Sequence, residues 1–228
     1  NFPYGLKEES LISDFLLDIY SYVAKSYKII LIVIACNTAS VSALNYLRER
    51  IDIPIVGTVP AVKVASEKTQ NSNIGIIATE TTVRLQYLSN LISQFAKDKN
   101  VFVRPSKKLV DAVENNYPKD QIREIVRNEM SYFKENNIDT LVLGCTHYSF
   151  LYEEIDDFFE KRVVIVDSKE GVSKRIASIL NNNNKKCSDD THKPETKLIL
   201  SRGDSETLTK YDRFVSQLKI FDTIIVRE

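Results

Sequence analysis

Two short stretches carry residue types that can do proton chemistry. Ile34-Ala35-Cys36-Asn37-Thr38-Ala39-Ser40 runs from an apolar segment into a cysteine followed by small hydrogen-bonding side chains. Thr140-Leu141-Val142-Leu143-Gly144-Cys145-Thr146-His147-Tyr148 repeats the arrangement later in the chain. Each reads as a buried parallel strand, a turn and a helix start. A cysteine at that point faces unpaired backbone N–H groups and the positive end of a helix dipole, and both favour thiolate over thiol. A thiolate can serve as nucleophile, metal ligand or general base. With the two units facing one ligand, a thiolate on one side and a thiol on the other can take a proton from one face of a carbon and return one to the opposite face. That is stereoinversion without a cofactor.

Other chemistries have less support. Two cysteines, one nearby histidine and no Cys-x-x-Cys spacing give too few ligands for a zinc site. No Gly-x-Gly-x-x-Gly or P-loop pattern is present, so nucleotide binding has no support. Nothing calls for pyridoxal phosphate. The expectation is therefore no cofactor and no metal. Cys187 and His192 fall in the Asn/Lys-rich stretch 181–194, an exposed loop by composition, and are read as incidental.

The elements that must position the cysteines follow from periodicity. The chain has 228 residues, 43% of them hydrophobic, enough for one large or two small domains with a sizeable core. Its 31 basic and 31 acidic residues cancel, which argues against a nucleic-acid or membrane-surface footprint. Three cysteines are too few for a disulfide framework, so a reducing, cytoplasmic setting is expected. A helix is expected from Glu9, with Leu11, Phe15, Leu16, Ile19 and Val23 at helical spacing. The strand ending at Cys36 comes next, then a helix capped by Asn37 or Thr38 and running to about Arg50. Ile55-Val56-Gly57, Ile74 to Ala78, Val101 to Val103, the run to Gly144 and Val163 to Val166 read as strands. A helix through Val83, Tyr87, Leu88, Leu91 and Phe95 follows Thr79-Glu80-Thr81-Thr82. Further helices are expected at 109–114, 120–134 and 206–218, with strands at 198–200 and 223–226. This alternation implies an α/β protein with parallel sheets and helices on both faces. The duplicated cysteine unit implies two pseudo-symmetric doubly wound domains with the active site in the cleft between them. One domain is placed at 1–58 plus 168–228, the other at 59–167.

The two cysteine motifs together resemble the paired signatures of cofactor-independent glutamate racemases, in the aspartate/glutamate racemase superfamily. Phe2-Pro3-Tyr4-Gly5 is similar to that family's substrate loop. Ile77-Ala78-Thr79-Glu80-Thr81-Thr82 resembles its threonine-bearing loop, Leu109-Val110 through Glu114 its Val-Glu segment, and Ser201-Arg202-Gly203-Asp204 its Gly-Asp turn. The resemblance implies that Cys36 acts on the D-glutamate side and Cys145 on the L-glutamate side. It implies Tyr4, Gly5, Asn37, Thr38 and Thr146 as substrate-binding residues, with Thr79 and Thr82 in the same work, His147 assisting Cys145, and Glu114 as a helper. The implied reaction interconverts L- and D-glutamate and feeds bacterial peptidoglycan. The partner is then a small molecule, with no nucleic acid and no membrane, and a homodimer is allowed. The family opens with a strand ending in Asp-Ser-Gly upstream of the Pro-Tyr-Gly loop, whereas this sequence begins at Asn1. The expectation is thus an N-terminally truncated fragment, poorly active and marginally stable on its own. Three alternatives stay open: a relative acting on aspartate or another amino acid, a non-catalytic amino-acid- or partner-binding module, and a thiol oxidoreductase.

Overall fold

Unbroken apolar runs become the central strands of a parallel sheet, because strands covered on both faces need apolar residues at every position. The computed structural model describes residues 8–182, 195–201, 204, 205, 208, 209, 211 and 223–226. The chain divides into two compact units, Phe2–Asn182 and Asn183–Glu228 with Asn1. The larger unit contains, in order, α1 (Glu9–Ala24), β1 (Ile32–Ile34), α2 (Asn37–Arg48), β2 (Ile55–Gly57), α3 (Val62–Lys68) and β3 (Asn73–Ala78). It continues with α4 (Glu80–Arg84), α5 (Gln86–Phe95), β4 (Asn100–Pro105), α6 (Lys108–Glu114), α7 (Lys119–Glu135) and β5 (Thr140–Gly144). A 3-10 turn (Thr146–Leu151), α8 (Tyr152–Phe158), β6 (Val164–Val166) and α9 (Lys169–Asn182) complete it. In the smaller unit β7 (Lys197–Leu200) pairs in parallel with β8 (Thr223–Val226).

Four strands form one parallel sheet in the order β4-β3-β5-β6. Side chains alternate across it, as the period of two requires. Ile77, Leu141 and Leu143 pack against Leu109, Val126, Met130, Phe133, Tyr148 and Ile155 on one face. Ile74, Ile76 and Val142 pack against Val62, Ala65 and Leu88 on the other. The strands β1 and β2 form a separate parallel pair, with α1 and α2 covering Ile34 and Ile55 through Ile12, Ala43 and Leu47.

Four local expectations need correction. Leu11 was expected on the packed face of α1, but it is exposed and Ile12 and Ser13 are buried. Regular pairing in β1 ends at Ile34, and the residue at the cap of α2 is Cys36, which makes no side-chain cap bond, with Asn37 and Thr38 already inside the helix. The helix after Thr79 is two helices, because Leu85 adopts an extended conformation (φ −70°, ψ 135°) between α4 and α5. The segment after Cys145 begins as a tighter 3-10 turn before α8. The helix expected at 206–218 lies largely outside the described residues.

Candidate active site

Both cysteines occupy the same local position. Cys36 has φ −149° and ψ 124° immediately before α2, and Cys145 has φ −144° and ψ 135° immediately before the 3-10 turn. Each lies just past the carboxyl end of a parallel strand, where open α/β sheets bind ligands. The chain then turns sharply: Ser40 N donates to Cys36 O at 2.9 Å, and Tyr148 N to Cys145 O at 3.1 Å.

The two cysteine segments meet in space. Thr146 Oγ1 donates to the carbonyl of Ala35, the residue before Cys36, at 3.3 Å. Thr38 Oγ1 lies 2.8 Å from Thr79 Oγ1 and 3.1 Å from Thr82 Oγ1, and the last two are 3.0 Å apart. All three threonines are buried. Thr79 also caps α4 through its hydroxyl, which accepts from Thr82 N. Beside them Asn37 is 2% exposed, and neither its side-chain N nor its O has a hydrogen-bond partner among the described residues. A buried amide left so costs free energy unless something joins it.

His147 and Glu114 lie beside the second cysteine. His147 Nδ1 lies 3.8 Å from Cys145 Sγ, and Nε2 lies 2.7 Å from Glu114 Oε1. Glu114, the last residue of α6, is thereby brought to the cysteine by the fold. Tyr4 and Gly5 lie outside the described residues, as do Cys187, His192, Arg202 and Gly203.

Both cysteines are free, and their ionisation departs from the sequence-based expectation that a helix start favours thiolate over thiol. Burial pushes the Cys145 thiol up to about 12, only partly offset by the N–H groups of His147 and Tyr148, while the Cys36 and Glu114 charges raise it further. Burial likewise raises Cys36, against the N–H groups of Ala39 and Thr38 and the Thr38 hydroxyl. The amides of each turn do point at the sulfur, as the helix-start geometry requires. Desolvation outweighs them because both sulfurs lie below the surface.

One residue of the motif gained no role from sequence. Ser40 Oγ donates to Ile34 O at 3.0 Å and accepts from Thr58 N at 2.8 Å, pinning the end of β1 to the segment after β2. The available signal was a small hydroxyl one helical turn past the cysteine, but its partners are set only by the pairing of β1 with β2. Among the described residues no group of three or more His, Cys, Asp or Glu is placed to hold a metal ion, and no helix is long and apolar enough to cross a membrane.

Comparison with known proteins places this geometry. The family described as Asp/Glu/Hydantoin racemase matches residues 8–170. A glutamate racemase of Aliivibrio fischeri is 37% identical over 180 residues, covering 79% of this chain and 68% of that protein. One from Glaesserella parasuis is 36% identical over 181 residues, covering 78% and 68%. The crystal structure of Escherichia coli glutamate racemase, in complex with L-glutamate and the activator UDP-MurNAc-ala, superposes with a TM-score of 0.86 at 29% identity, over 99% of this chain and 84% of that one. The Aquifex pyrophilus glutamate racemase structure gives 0.71 at 28% identity, over 99% and 84%. With its two helix-start cysteines brought together on an α/β scaffold shared with those enzymes, the chain belongs to the Asp/Glu/Hydantoin racemase family.

Proposed function

We propose that this chain is a cofactor-independent glutamate racemase that interconverts L- and D-glutamate by proton transfer between two cysteines. The observation that carries this is the meeting of the two cysteine segments, Thr146 on the Ala35 carbonyl, with the buried hydroxyls of Thr38, Thr79 and Thr82 and the unpartnered amide of Asn37 on the Cys36 side. In the D to L direction a Cys36 thiolate takes the α-proton. The Cα–H bond breaks, an S–H bond forms, and the electron pair stays on the α-carbon. The Cys145 thiol then gives its proton to the opposite face and becomes the thiolate. The reverse direction exchanges the roles.

Asn37, Thr38, Thr79, Thr82 and Thr146, together with Tyr4 and Gly5, bind the carboxylates and the ammonium. His147, backed by Glu114, assists Cys145. Burial by itself favours the thiols. The substrate's ammonium, close to the α-carbon, adds the positive charge that favours one thiolate. The two cysteine half-sites are built on different sheets of the larger unit, Cys36 after β1 and Cys145 after β5. The sheets β1-β2 and β4-β3-β5-β6 are separate. The product feeds peptidoglycan in the cytoplasm, without nucleic acid or membrane as partner, and a homodimer is the proposed assembly.

Proton NMR in deuterium oxide tests this reading. Each enantiomer of glutamate, but not of aspartate, is expected to lose its α-proton signal, and Cys36→Ser and Cys145→Ser each to slow turnover more than ~1000-fold. Retained racemisation in either variant would exclude the two-thiol mechanism. Calorimetric binding of glutamate without isotope exchange would instead make the chain a binding module.

A second ligand is suggested by a separate cavity of ≈ 680 Å³, to which Arg48, Lys63, Lys174 and Arg175 contribute positive charge, Asp167 and Glu170 negative charge (Glu170 paired with Lys174), and Tyr87 and Phe95 aromatic surface. None of the cysteines or threonines of the site lines it. We read it as the place for an anionic, ring-bearing effector of the kind bound by the Escherichia coli enzyme. Lys63→Glu is expected to abolish any activation by UDP-MurNAc-Ala and to leave basal turnover within about twofold. Equal activation of both proteins would exclude that cavity.

A further inference from the structure

Tyr148 lies three residues past Cys145, fully buried and outside the proton path set out above. Its phenol oxygen is 2.5 Å from the Ser106 carbonyl and 3.0 Å from the Ala78 carbonyl. A phenol has one proton to donate, so the two carbonyls share it. Both acceptors matter to the site. Ala78 ends β3 and precedes Thr79, whose hydroxyl joins the buried cluster. Ser106 follows β4, and its hydroxyl accepts from Leu109 N at 3.4 Å at the root of α6. The far end of that helix is Glu114, the partner of His147. The N–H of Tyr148 is among those that favour the Cys145 thiolate. Burial and the nearby Cys145 and Glu129 charges hold the phenol well above its ordinary pKa, so it remains a donor at neutral pH.

We infer that Tyr148 is a positioning residue for racemisation: its hydroxyl ties the turn carrying Cys145 and His147 to the strand end carrying Thr79 and to the root of the helix carrying Glu114. It thereby sets the approach of one sulfur, and not the other, to the α-carbon. The turn after Cys36 is anchored from a different position, by Ser40 four residues on, which bridges Ile34 O and Thr58 N. The assignment rests on the glutamate reading above.

Tyr148→Phe keeps the packed ring and removes the hydroxyl alone. The full chain and the variant are compared on L- and D-glutamate carrying deuterium at the α-carbon. Because the enantiomers have equal free energy, kcat/KM must fall equally in both directions, by about tenfold to a hundredfold for a sub-ångström misplacement. The deciding readout is the primary deuterium isotope effect. Slower transfer at Cys145 makes that step more rate-limiting. The effect then rises for the enantiomer that Cys145 deprotonates, L-glutamate in the proposed assignment, and falls for the other. General loosening of the fold lowers the rate without splitting the two isotope effects.

An unchanged kcat/KM, or a loss with no split, would overturn the proposal while leaving the racemase reading intact. Absence of turnover in the unsubstituted chain as well would remove the racemase reading and this assignment with it. If the Phe variant does not fold by circular dichroism, 3-fluorotyrosine at position 148, a stronger donor of nearly the same shape, is expected to split the isotope effects in the opposite sense. No split there would also refute it.

Discussion

Asn37 separates binding from folding at the scale of one residue. Its amide is 2% exposed and lacks a partner among the described residues, so it is a cost to folding rather than a support. Asn37→Leu, close to it in shape, is expected to stabilise the protein by about 1 kcal/mol while kcat/KM falls by about 100-fold. Thermal melts and a coupled racemisation assay measure the two quantities. A variant that lost stability and kept activity would mean the amide serves the fold. Residue identity was legible here because Cys36-Asn37-Thr38 and Cys145-Thr146-His147 are distinctive runs. What could not be read was ionisation. Burial raises both thiols, and burial is a property of everything packed around a residue, not of its neighbours in the chain.

Strand β5 delivers Cys145 from Gly144, the register partner of Ala78 on β3, where there is no room for a side chain. A Cβ on Gly144 would fall 2.9 Å from both Ala78 Cβ and Ile77 O, and the second is backbone that cannot swing aside. Gly144→Ala is therefore expected to push the two strands apart, lowering stability by about 1–3 kcal/mol. It should also impair turnover more than that loss explains, because Ala78 leads directly to Thr79. Urea unfolding and kcat measured on the folded fraction distinguish the two effects, and an Ala variant equal to the parent in both would show that the strands can part freely. At this scale most strands were readable, since β3 and β5 are buried along nearly their whole lengths and show as apolar runs. The break at Leu85 was not. Nothing in helical periodicity distinguishes one helix through Tyr87 from two that meet at an extended residue.

The whole molecule carries the ionisation of its two sulfurs as a stability term. A thiol raised on folding means that the native state holds a proton which the unfolded chain releases above the ordinary value of 9.0. Stability from this source is present below about pH 9 and declines as pH rises toward the folded value of about 12 for Cys145, by about 1.4 kcal/mol per pH unit. Urea titrations at pH 8 and pH 10 are expected to show the loss, and Cys145→Ser, which cannot ionise there, to reduce it. An identical slope in the two proteins would mean that the thiol is not desolvated in solution.

Sequence alone determined the alternation of strands and helices, the family resemblance and the two cysteine motifs, because these depend on local periodicity and on residue type. Only the tertiary structure decided that Thr38 meets Thr79 and Thr82, that Thr146 reaches Ala35, that Glu114 backs His147, and that Ser40 and Tyr148 anchor the two turns. Apart from the bond of Ser40 to Ile34, those contacts join residues well separated in the chain. They follow from the order in which strands pair and from which face each helix covers, and composition and spacing leave both undetermined.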